Sequence, residues 1–109
     1  MEQLKLLMDY TKFHIGVYLT LGSVSLGLVE LQIVDFTEWI PTIIFLIVAG
    51  AAGGVIGSHI PNFETFKDFE EAKLGFWGMR LARYRFWAKL EHVAFWMGIL
   101  WGSYILLTR

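Results

Sequence analysis

Three histidines are the side chains in this sequence best suited to chemistry: His14, His59 and His92, the last preceded by Glu91. Imidazoles carried on separate elements can ligate haem, zinc, copper or iron, or can pass protons. Their spacing offers no HxxxH, HxH or ExxH pair on one helix, so any joint site depends on the fold bringing them together. There is no cysteine, which excludes disulfides, thiolate catalysis and Cys-ligated zinc or iron–sulfur. GxSxG, HExxH, P-loop and GxGxxG patterns are also missing. The run "GAAGGVIG" resembles a nucleotide loop only superficially, because it lies inside an apolar segment with no strand before it. No catalytic residue and no metal-ligand set stands out, and the chain reads as a non-enzyme.

The elements that must place these histidines are set by the distribution of charge. Hydrophobic residues make up 56% of the 109-residue chain and charged residues only 17%, against about a quarter in a soluble domain. A soluble domain this small has too much surface to hide so apolar a composition. Residues 13–34 contain one acid, Glu30, and no Lys or Arg; residues 40–60 and 92–107 contain no charge of either kind. Twenty helical residues cover about 30 Å, the hydrocarbon thickness of a bilayer. The expected fold is therefore an all-α integral membrane protein, a single membrane domain with spans over 13–34, 40–60 and 88–107. The third span reaches full length by starting near Trp87, with Lys89 extending to the headgroups. Acids beside lysines before residue 13, and the lack of a small-x-small cleavage site, argue against a removed signal peptide.

Lys and Arg fix the expected orientation. Lys5 and Lys12 precede the first span, and Lys67, Lys73, Arg80, Arg83, Arg85 and Lys89 lie between the second and third. Arg109 alone follows the third span, and the short acidic turn around Asp35 and Glu38 has no cation. The positive-inside rule then places the N-terminus and the 61–91 region in the cytoplasm and the C-terminus outside, in a cell (inner or plasma) membrane. Phe36, Trp39 and Tyr104 mark one boundary, and Tyr10, Phe13, Trp77 and Trp87 the other. Pro41 suits the first turn of the second helix. On this threading His14, His59 and His92 all fall at the cytoplasmic boundary. Glu30 falls about one turn inside the opposite one.

Nine of the eleven glycines lie within the spans. In the second, Ala49, Gly53 and Gly57 form one face and Gly50, Gly54 and Ser58 the neighbouring one. The third carries Ala94, Gly98 and Gly102, and the first a looser set around Ser23 and Gly27. Helices in lipid associate through close van der Waals packing, which small residues permit. Two adjacent small faces exceed what three helices can use internally, so a homo-oligomer or a membrane-protein partner is expected.

The 61–87 connector places Phe63, Phe66 and Phe69 three apart opposite acids and lysines. Capped by Asn62 or Thr65 and ended by Gly75, it predicts an amphipathic helix. That helix lies in the membrane interface, packs on the ends of the spans, or does both. The following "FWGMRLARYRFWAKLEH" interleaves rings and cations. Beside membrane spans, and at a net charge of −1, this favours headgroups over nucleic acid. Arg80, Arg83 and Arg85 are expected to contact anionic membrane lipids or a cytoplasmic partner.

The function expected from these features is that of a small polytopic anchor, accessory subunit or self-associating assembly component. No resident cofactor is expected. The rivals are a redox anchor holding haem among His14, His59 and His92, and a small oligomeric channel or membrane-permeabilising effector.

Overall fold

The computed structural model describes residues 2–109. Three long helices dominate: α1 (Glu2–Glu30), α2 (Phe36–His59) and α4 (Tyr84–Thr108). Each is long and apolar enough to cross a membrane. The molecule is 48 Å along its principal axis and 24 by 22 Å across, so its length exceeds the roughly 30 Å of a hydrocarbon core. Leu19, Leu26, Ile47, Trp96 and Leu100 are exposed on the helix flanks. Water penalises such a surface, while lipid tails match it.

The helix ends are set by local chemistry. α1 stops at Glu30 in a Schellman motif: Ile33 N–H reaches Leu28 O at 2.9 Å and Gln32 N–H reaches Val29 O at 3.0 Å. Gln32 takes the left-handed conformation at φ 60° that this motif needs. The first span therefore ends four residues short of the expected 34, and Glu30 is an exposed terminal residue rather than one a turn inside. Its other end runs back to Glu2, because Leu4 is buried against the connector. α2 begins with Asp35, whose side chain accepts from Thr37 N–H at 2.8 Å. This places Pro41 in the second helical turn, not the first, where it cannot supply a bond to the Thr37 carbonyl.

α2 is the central helix, packed against both α1 and α4. Ala94, Gly98 and Gly102 turn inward; a β-carbon on Gly98 would lie 3.2 Å from Phe45 Cβ, and one on Gly102 2.9 Å from the Trp39 ring. Thr42 Oγ1 donates to Gly98 O at 3.1 Å across this contact. The pattern is small-residue packing with a polar tie, as expected where hydrophobic drive between helices is lacking.

The connector is only partly helical. After a 3-10 turn at Ile60–Asn62 comes α3, Phe66–Glu71, capped by Thr65. It ends before Gly75 because the chain turns into a hairpin of β1 (Lys73–Leu74) and β2 (Ala82–Arg83), paired antiparallel with Lys73 opposite Arg83. Gly75 is needed for another reason: a β-carbon there would collide with the Met79 carbonyl. The phenylalanine stripe packs inward, with Phe69 fully buried beside Leu74, Ile56 and Leu4. Trp87, expected as a boundary residue, is also buried, and its Nε1–H donates to Leu74 O at 3.0 Å and Ala82 O at 3.1 Å. One indole thus clips the hairpin to α4.

Candidate functional site

The polar chemistry concentrates where α1, α2 and α4 meet near the connector. α4 presents Trp87, Glu91, Ala94, Gly98, Gly102 and Ile105 to the interior. A carboxylate thus lies on the same face as the glycines, and Glu91 is only 3% exposed. Tyr18 of α1 donates its hydroxyl to Glu91 Oε1 at 2.6 Å. Gly53 of α2 makes the space: a β-carbon there would lie 3.4 Å from Oε2 and 3.3 Å from Ile15 Cγ1. No lysine or arginine pairs with Glu91 among the described residues, so the Tyr18 hydroxyl is its partner across the bundle.

His92 stands on the next flank. Its Nδ1–H donates to Ala88 O at 2.7 Å, since a carbonyl can only accept. In the neutral imidazole that leaves Nε2 to accept from the Tyr10 hydroxyl at 3.0 Å. His14 is fixed in the same way, Nδ1–H to Tyr10 O at 2.8 Å. The His14 and His92 rings lie 6.1 Å apart, with Tyr10 stacked on His14 at 3.9 Å.

The fold therefore brings two of the three histidines together and holds the third elsewhere. His59 Nε2–H donates to Gly75 O at 2.8 Å, tying the end of α2 to the hairpin. No group of three or more His, Cys, Asp or Glu positioned for a metal occurs among the described residues. Haem ligation at His92 would have to displace the Tyr10 hydroxyl, because the nitrogen lone pair is already engaged.

The two small faces of α2 have different fates. Ala49 and Gly53 are buried, and Gly57 meets Thr11 of α1, whose Cγ2 would lie 3.4 Å from a β-carbon. Gly50 and Gly54 have nothing within 4 Å of that position, and Ser58 is exposed, donating to Val55 O within its own helix. Gly50 opens, with Gly22 and Ser23 of α1, into a groove of about 490 Å³ walled by Leu19, Leu26 and Ile47. Gly54 and Ser58 open instead under the hairpin.

The three arginines do not act together. Arg80 lies in the hairpin loop, Arg83 ends β2 and Arg85 is on α4. Arg85 pairs with Glu70 at 3.7 Å, the one ion pair among the described residues, with side chains 78% and 37% exposed; such a contact contributes little. Against known proteins, the chain matches no family model, no curated protein and no solved structure. Its chemistry has to be judged from its own geometry. On that footing, sequence reasoning placed Glu91 beside His92 but missed its burial and its bond to Tyr18. The signal was present: Glu91 precedes Ala94, Gly98 and Gly102 at helical spacing and so shares their face.

Proposed function

We propose that this chain is a non-enzymatic assembly component of a membrane, an anchor or accessory subunit that associates through its helices, with N-terminus and connector in the cytoplasm. The observation that carries this reading is the α1–α2 groove floored by Gly22, Ser23 and Gly50. The small residues facing α4 and the inner side of α1 are filled by packing, whereas a β-carbon at Gly22 or Gly50 would meet nothing within 4 Å. A helix from a second copy or from a membrane partner can approach closely there, which is how association is driven in lipid.

Photo-crosslinking from Leu19 and Ile47 in the native membrane tests it. A product at twice the chain mass identifies a second copy, and a product of another defined mass a partner subunit. Both should vanish in Gly50→Leu. Crosslinks to lipid alone remove the assembly reading, and ion flux through liposomes that disappears in Gly50→Leu would replace it with a channel. Reporter fusions at Arg83 and Arg109 test the orientation independently.

A further inference from the structure

Two concavities adjoin at the connector end of α2, sharing His59, Gly75 and Gly78 in their walls. The first, about 560 Å³, carries Asn62, Lys73 and Arg80 with His59. The second, about 430 Å³, runs along α2 beside Gly54 and Val55, with Phe76 and Trp77 of the hairpin at its open rim. No carboxylate lines either one, and neither Lys73 nor Arg80 is paired with an acid among the described residues. We propose that this composite cleft is a binding site for one anionic phospholipid, its phosphate held by Lys73 and Arg80 and an acyl chain laid against Gly54, with Trp77 at the rim.

The order of the two parts follows the membrane. His59 ends α2, and the cationic part lies beyond it, at headgroup level. Gly54 is five residues back, about 7.5 Å along the helix, where the surroundings become hydrocarbon. Gly54 leaves that wall without a side chain, so a chain can lie against the backbone. The hairpin tip supplies the other wall. Met79 N–H bonds to Phe76 O at 3.0 Å, and Trp77 and Gly78 adopt φ of 54° and 76°, the geometry of a type I′ turn. That turn holds a tryptophan in the left-handed conformation and leaves the residue 91% exposed, a placement suited to the interface where indoles reside. His59, bonded to Gly75 O, fixes the distance between helix and hairpin. The site thus assigns the lipid contact expected of Arg80 to the pair Arg80 and Lys73, and leaves Arg83 and Arg85 outside it. It rests on the membrane-spanning reading and is independent of the groove at Gly50.

The test is native mass spectrometry of the full chain released from detergent with equimolar phosphatidylglycerol and phosphatidylcholine. Wild type should retain one phosphatidylglycerol, preferred by roughly 30-fold, the product of two cations near an anionic group. Lys73→Gln with Arg80→Gln should erase the preference, while Arg83→Gln with Arg85→Gln should keep it. Gly54→Leu should lower retention of both lipids without changing their ratio. Millimolar glycerol 3-phosphate should not displace the lipid. Equal retention of the two lipids, an unchanged preference in the Lys73/Arg80 variant, or displacement by glycerol phosphate would each overturn the proposal. Circular dichroism of every variant confirms folding, and Asn62→Ala gives a second, uncharged probe of the headgroup end, expected to weaken retention. A chain that stays in plain buffer without detergent would sink the membrane reading itself, a separate outcome.

Discussion

The carboxylate of Glu91 occupies the space that a side chain at Gly53 would fill, with Oε2 3.4 Å from where a β-carbon would stand. The buried acid and the glycine are therefore one structural feature contributed by two helices. A small residue in α2 and a polar residue in α4 each make sense only with the other in place.

Substituting Gly53 should accordingly cost more than substituting its neighbour. Gly53→Leu drives a branched side chain into Ile15 and Glu91 and should destabilise the bundle by about 1–3 kcal/mol. Gly54→Leu faces open space and should leave the melting temperature in detergent nearly unchanged. Equal effects at the two positions would contradict the packing described.

Tyr18→Phe removes the hydroxyl donor from a buried carboxylate, a loss of about 1–3 kcal/mol. In a Glu91→Leu background the same substitution should cost much less, because no acceptor remains to be stranded. A double-mutant cycle on thermal stability reads the difference. Additive effects would mean that the 2.6 Å contact contributes nothing to stability.

Gly75→Ala should disorder the hairpin and spare the helices, since the Met79 carbonyl occupies the position of the new methyl group. The expected signature is faster proteolysis between residues 72 and 83, with helical circular dichroism retained. Trp87 fluorescence should shift to longer wavelength as its indole loses the Leu74 and Ala82 carbonyls.

Added haem should keep the Soret band of the free cofactor without a shift, because Tyr10 already holds the acceptor nitrogen of His92. A shifted band that is then lost in both His14→Ala and His92→Ala would establish ligation. A band retained in His59→Ala would agree with the separation of that histidine from the other two.

Much of the architecture was legible in the chain because its causes are local. Long charge-free runs specify membrane-length helices whatever their neighbours do, and Thr65 with Asp68 three residues on specifies a helix start. The inward strip Ala94, Gly98, Gly102 follows from periodicity alone. The connector was harder to read. Its phenylalanine spacing is helical, yet only Phe66–Glu71 forms a helix, because the pairing of β1 with β2 and the donation from Trp87 compete for the same backbone.

What the sequence by itself determined is three stretches long and apolar enough to cross a membrane, with most of the charge outside them. Which groups meet was decided only in three dimensions. Helix rotation about α2 turned Glu91 inward to Tyr18, paired His14 with His92 near Tyr10, and sent His59 to the hairpin. It also left Gly50 and Gly54 uncovered while burying Gly53. Hydropathy is a property of each segment, but the azimuth of one helix against another depends on how side chains from all three fill a shared volume.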